Sequence, residues 1–157
     1  MRFLALLLIF PLLICGSHSS QAFQIRELKA LDFGIFTITD SGAHSIVVAP
    51  NGLTTLPDGG IHKMRGGRGA TFEIVGADPA TDFYVTINAT SITHASGSPV
   101  FAIDSFEFDP PNSSLSPVHP GPDGSIAFNI GATLHVPPGT PVRTGAYRGT
   151  YEFMINF

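Results

Sequence analysis

The apolar residues of this chain recur at every second position, and that period leaves room for little but β-strands. The C-terminal stretch is the clearest case. Tyr147, Gly149, Tyr151, Phe153, Ile155 and Phe157 fall on one face of a strand, and Ala146, Arg148, Thr150, Glu152, Met154 and Asn156 fall on the other. Phe72 and Ile74 flank Glu73. Phe83, Val85 and Ile87 alternate with Tyr84, Thr86 and Asn88. Phe106 and Phe108 flank Glu107. Ile126, Phe128 and Ile130 alternate with Ala127 and Asn129, and Leu134 and Val136 straddle His135. Each reads as a half-buried strand with one wet face. The runs are separated by turn chemistry, such as Asp40-Ser41-Gly42, Pro57-Asp58-Gly59-Gly60, Asp109-Pro110-Pro111 and Pro137-Pro138-Gly139.

About eight strands are expected, at residues 33–39, 44–49, 70–75, 83–88, 100–108, 125–130, 133–136 and 146–157. No window carries twelve residues of clean helical periodicity. The expected architecture is a single all-β domain over residues 23–157, an antiparallel sandwich or barrel without a linker or internal repeat. Composition agrees. The chain holds 17 glycines and 13 prolines, and 13% of it is charged, about half the ~25% of a typical soluble domain. An apolar content of 43% suffices for a packed core. The 8 basic residues are outnumbered by 12 acidic ones, which argues against a nucleic-acid partner.

Residues 1–22 have the pattern of a secretory signal peptide. Arg2 supplies one positive charge, Phe3 to Cys15 is an unbroken apolar run, and a polar stretch ends at Ser20-Gln21-Ala22. Small residues at the −3 and −1 positions place the cleavage between Ala22 and Phe23. The apolar run is too short to cross a ~30 Å hydrocarbon core as a mature helix. Lipoprotein processing at Cys15 is a rival that the bulky Ile14 disfavours. Cleavage after Ala22 would remove Cys15, the sole cysteine. The exported chain would then have no disulfide, no membrane span and no cysteine nucleophile, and its apolar core alone would hold the fold.

Few constellations suggest chemistry. Of His44, His62, His94, His119 and His135, no two lie within four residues, so no local zinc pair exists. His44 and His135 are expected on wet strand faces and the other three in loops. Asp32, Asp104 and Asp109 could pair for acid–base work, but isolated acids on alternating strands are expected to be solvated. Asp104, Glu107, Asp109 and Asp123 lack the regular loop spacing of a calcium site. Arg65-Gly66-Gly67-Arg68-Gly69 lacks the Gly-Lys-Ser/Thr ending of a phosphate-binding loop, and reads as a flexible exposed loop. No serine sits in a Gly-x-Ser-x-Gly elbow. Asn88-Ala89-Thr90 and Asn112-Ser113-Ser114 match the glycosylation acceptor pattern. No catalytic residue, metal or cofactor is expected.

Four segments carry a family resemblance. They are Leu31-Asp32-Phe33-Gly34, then Gly69-Ala70-Thr71-Phe72-Glu73-Ile74-Val75-Gly76, then Gly131-Ala132-Thr133-Leu134-His135-Val136-Pro137. The last and most specific is Gly145-Ala146-Tyr147-Arg148-Gly149-Thr150-Tyr151-Glu152-Phe153. In order and spacing the chain resembles the exported bacterial proteins of domain of unknown function 4402. That family looks like the pilin and spore-coat-U-like subunits of surface fibres. The resemblance implies an immunoglobulin-like sandwich of seven to eight strands, and a structural or adhesive protein of the periplasm, cell surface or exterior. It transfers no catalytic residues. Many fibre subunits hold a disulfide, which this chain would lack.

The expected function is therefore a non-catalytic exported subunit or accessory of a surface fibre or coat. A monomeric secreted module for a small ligand or carbohydrate is the alternative. Expected partners are like subunits or a periplasmic chaperone, joined by strand addition. An immunoglobulin-like sandwich needs a strand beside the Tyr147–Phe157 run. Either the segment from Phe23 folds back to fill that place or a strand of another molecule does. Phe23 and Ile25 alternate well, but Glu27 and Lys29 then occupy the same face, and the expectation leans slightly to another molecule.

Overall fold

A computed structural model describes residues 23–88, 90–111 and 117–156. Among these the chain is all β, and every named strand pair is antiparallel. The strands are β1 (Gln24–Lys29), β2 (Ile35–Ile38), β3 (His44–Val48), β4 (Thr54–Thr55), β5 (Ile61–Arg65) and β6 (Ala70–Val75). They continue as β7 (Tyr84–Ile87), β8 (Thr90–His94), β9 (Val100–Asp109), β10 (Ile126–Val136), β11 (Tyr147–Arg148) and β12 (Phe153–Asn156). The main sheet runs β1-β6-β10-β9-β8-β11, with β3 also on β10 and β4 on β3. β12 pairs with β7, and β2 with β5, as separate ribbons.

β10 organises the molecule. Its even-numbered residues Ile126 to Val136 keep one apolar face for eleven residues. Residues 125–130 and 133–136, expected as two strands, are therefore one. Gly131, expected at a break, instead permits close approach, because a Cβ there would strike the Val48 carbonyl oxygen. On one edge the first half of β10 pairs with β6 and the second half with β3. β9 runs along its other edge. Gly131 faces Glu107 and Thr133 faces Asp104, so β9 has one residue more than its partner. Ser105 occupies that bulge with φ 50°. The extra residue changes the phase of β9, so Phe101 and Ile103 and then Phe106 and Phe108 all turn inward.

Two cores lie side by side under β10. The first gathers Phe72, Ile74, Phe83, Val85, Phe128 and Ile130, covered by the β7–β12 ribbon. Phe153 sits 4.9 Å from Phe72 and 5.5 Å from Phe128 between ring centroids, and Phe72 and Phe128 stack at 5.9 Å. The second gathers Ile46, Ile61, Phe101, Ile103, Leu134 and Val136, beside the β2–β5 ribbon.

The C-terminal run is not one strand. β11 ends at Arg148, and β12 starts at Phe153 in another sheet. A Cβ at Gly149 would strike the Ser91 carbonyl oxygen, so a bare backbone passes closely where the chain leaves the main sheet. The alternation itself survives the break. Tyr151, Phe153 and Ile155 pack on the first core while Glu152, Met154 and Asn156 are exposed. The segment after Phe23 forms β1 and pairs with β6, not with β12. Its register shifts between Glu27 and Lys29, the residues that spoil its apolar pattern.

Candidate binding groove

The second core is open on one side. A groove of about 810 Å³ lies over it. Its floor is the inward face of β3, β9 and β10, with Ile46, Phe101, Ile103, Leu134 and Val136. One wall is β2, reached through Leu31 to Gly34. The other is the segment from Val142 to Tyr151, which contains β11.

Local chemistry holds each wall. Asp32 accepts a hydrogen bond from the Gly34 backbone N–H at 2.8 Å and two from Arg65 Nη2, at 2.9 and 3.2 Å. Burial pushes the Asp32 carboxyl up, but the Gly34 N–H and the Arg65 and Arg68 guanidiniums outweigh that and hold it below the usual aspartate value. Gly34 has φ 100°, and a Cβ there would strike the Arg65 carbonyl oxygen, so only glycine fits the bend into β2. On the other wall the Tyr147 ring stacks on Phe101 at 5.0 Å and meets His94 edge-on at 5.0 Å. Its hydroxyl donates to the Arg143 carbonyl at 3.0 Å and accepts from the Arg143 N–H at 3.1 Å, closing the loop that leads into β11.

Both walls are strands with a spare edge. Among the described residues β2 pairs only with β5 and β11 only with β8. Among the described residues no backbone pairing joins β2 to β11 across the groove. The groove thus combines an apolar floor with backbone donors and acceptors along both sides. That is the chemistry an extended peptide needs, with ladder bonds for its backbone and an apolar bed for alternate side chains.

The residues singled out from the sequence separate. Tyr147 stands in the groove. Tyr151 lies at its end, and its hydroxyl donates to Glu27 Oε1 at 3.1 Å. Burial, then the Glu27 charge and its hydrogen bond, push the Tyr151 phenol well above the usual tyrosine value. Phe153 and Ile155 belong to the first core, as does half-buried Phe23. Phe157 and Ala22, and with Ala22 the proposed cleavage and leader, lie outside the described residues, as does Asn112-Ser113-Ser114.

The polar expectations need correction. His44 is not on a wet face but buried, at 3% exposure. Asp40 Oδ1 lies 2.8 Å from its Nε2, yet neither ring nitrogen has a well-aligned hydrogen bond. His62 and His94 lie in β5 and β8 rather than in loops. Asp104 is not merely solvated. It meets His135 Nε2 at 2.8 Å and accepts from the Ser105 hydroxyl at 2.8 Å, and these two bonds, His135 first, hold its carboxyl low. His119 and Asp82 meet at 2.6 Å. Residues 65–69 do not form a free loop. The Gly67 N–H donates to Thr54 Oγ1 at 2.7 Å, and Asp32 and Arg68 exchange backbone hydrogen bonds at 2.9 and 2.6 Å.

Ser45, His135 and Asp104 come together in the composition of a hydrolytic triad. Ser45 Oγ stands 3.5 Å from His135 Nδ1, the outer limit of a hydrogen bond. The Ser45 backbone N–H is taken by Asp58 Oδ2 at 2.8 Å. None of the three lines the groove. They form a polar cross-strand row on β3, β10 and β9, the kind that pins register. Among the described residues no three or more His, Cys, Asp or Glu side chains converge as metal ligands. No helix there is long and apolar enough to cross a membrane.

The sequence model of one protein family matches residues 23–157, which include every described strand and the groove. The chain belongs to the family described as Domain of unknown function (DUF4402). No curated protein and no solved structure matches it. Within DUF4402, then, this chain supplies an all-β antiparallel fold whose second core is open between two strand edges.

Proposed function

We propose that this DUF4402 protein is an exported, non-catalytic subunit or accessory of a bacterial surface fibre or coat, and that it accepts an extended strand from a partner. The observation that carries the reading is the groove, where the spare edges of β2 and β11 flank an apolar floor. Such an opening exposes both unpaired backbone and apolar surface, and a bound strand relieves both at once. A like subunit or a periplasmic chaperone would supply that strand. The packing of the β7–β12 ribbon on β6 and β10 supports an immunoglobulin-like, pilin-like sandwich with one place unfilled. The apolar start of the chain supports export with cleavage after Ala22.

Hydrogen exchange tests the reading. The amides of Ile35–Ile38 and Tyr147–Arg148 that face the groove should exchange quickly in the isolated protein and slowly in high-molecular-mass material recovered from the cell surface. Equal protection in both forms would refute strand acceptance. Absence of the protein from such material would refute the fibre or coat role.

A second reading has one observation in its favour. The groove volume lies within the ~300–1,000 Å³ of small-molecule sites, and Phe33, Phe36, Tyr147 and Tyr151 line it. A monomeric secreted module for a small ligand or carbohydrate would use those rings. Saturable binding of a glycan to a protein that stays monomeric would favour it.

A further inference from the structure

The charges around the groove are sorted, and the sorting points to the kind of strand it takes. The chain has 8 basic and 12 acidic residues, so a random patch would lean acidic. The groove does the reverse. Arg143 and Arg148 line it, and among the described residues Asp32 is the one acid that does. Asp32 is already neutralised, with Arg65 Nη2 at 2.9 Å and the Arg68 charge acting on it as well. Arg143 reaches only a neutral partner, the Ser96 hydroxyl at 3.3 Å. No described acid stands within ion-pair distance of Arg143 or Arg148. Two arginines with no acidic partner among the described residues thus line the apolar floor, against one acid that is already paired.

We infer that the occupant of the groove is an extended segment of a different protein, with apolar residues at alternate positions and acidic residues between them. The inference rests on the strand-accepting reading above and adds the partner's chemistry. The apolar side chains would lie on Phe101, Ile103 and Leu134, and the acidic ones would meet the arginine rim. The same charges disfavour the chain's own N-terminal strand as the occupant. That strand carries Arg26, Glu27 and Lys29, a net positive segment, and β1 is already paired with β6. Complementary charge of this kind chooses among partners and speeds their encounter more than it adds affinity.

Four synthetic nine-residue peptides test this against the purified protein by fluorescence anisotropy. Three share alternating valines, with glutamate, serine or lysine between them. The fourth has the sequence of residues 23–31. At low salt the glutamate peptide should bind about tenfold tighter than the serine peptide and tighter still than the lysine peptide. The gap should close near 1 M salt, where the screening length is ~3 Å. The double variant Arg143→Gln, Arg148→Gln should abolish the preference while still binding the serine peptide. Equal binding of the glutamate and lysine peptides would overturn the charge inference and leave strand acceptance standing. Tightest binding by the 23–31 peptide would overturn it in favour of a second copy of this chain. Binding of none of the four would overturn strand acceptance itself.

Discussion

The two halves of β10 face the same way and carry similar side chains, yet they end in different surroundings. Phe128 and Ile130 are sealed beneath the β7–β12 ribbon, where Phe72, Phe128 and Phe153 stack. Leu134 and Val136 lie on the floor of a groove whose walls do not meet. Composition cannot account for the contrast, since the cores beneath both halves are built of aliphatic and aromatic side chains. The covering layer does. β12 brings Phe153 and Ile155 onto the first core, whereas β11 ends after two residues and offers Tyr147 alone. One half is sealed, and the other is left open.

The sharpest way to break this comparison is to make one truncation in each core. Ile130→Ala should cost about 3–5 kcal/mol, because a sealed core cannot collapse onto the gap. Ile103→Ala, at 4% exposure on the groove floor, should cost about 2–3 kcal/mol, since a wall free on one side can settle inward. Urea melts of the two variants decide the matter, and an equal or reversed order would show that the second core is as closed as the first. Next in size is the lid. Phe153→Ala should cost about 2–4 kcal/mol and Glu152→Ala under ~0.5 kcal/mol by the same melts. Similar losses from the two would mean that β12 does not present its odd-numbered face inward.

Tyr151 joins the end of the groove to β1, and Tyr151→Phe should cost ~1 kcal/mol through loss of the hydrogen bond to Glu27. An alkaline absorbance titration adds a signature. The folded protein should keep one phenol un-ionised well above the usual tyrosine value, and Tyr151→Phe should remove that late step. Because the folded value is raised, the contribution is full below the unfolded pKa and is lost as pH rises through the folded one.

The smallest effect lies on the outer face. The carboxyls of Asp40 and Asp104 are held low in the fold, the first chiefly by the Gly42 N–H and also by His44, the second by His135 and Ser105. Depressed values give stability that is present above the unfolded pKa and lost as pH falls through the folded one. Thermal melts should therefore drop below about pH 4, and Asp104→Asn should flatten that drop slightly. An unchanged acid limb would remove the His135–Asp104 contact from the account.

How much could be read beforehand depends on whether a strand buries one face. β6 and the two halves of β10 alternate in the sequence and alternate in burial. β1, β5 and β8 do not, with patterns of full exposure, one buried residue in five, and uniform half-burial. β1 at a sheet edge, β5 in a separate ribbon and β8 between β9 and the two-residue β11 have no period to detect. The β9 bulge did leave a trace, in the jump from Ile103 to Phe106, an odd step of three residues that a regular strand does not allow on one face. The break at Gly149 left none, because its flanking residues stay in phase. The groove was not legible as a place at all. It arises where β2 and β11, more than a hundred residues apart in sequence, fail to pair, and no local pattern encodes a missing pairing.

The spine strand also sets a timetable. β10 pairs with β3, β6 and β9, all of which precede it in the chain. Neither core can close before β10 arrives, and the lid from β12 comes later still. Few contacts are local, so the loop-closure entropy must be met before much is gained in return. Folding on the millisecond-to-second scale of non-local β proteins follows. For that interval the chain presents unpaired edges on β3, β6 and β9 as well as on the two strands that keep theirs.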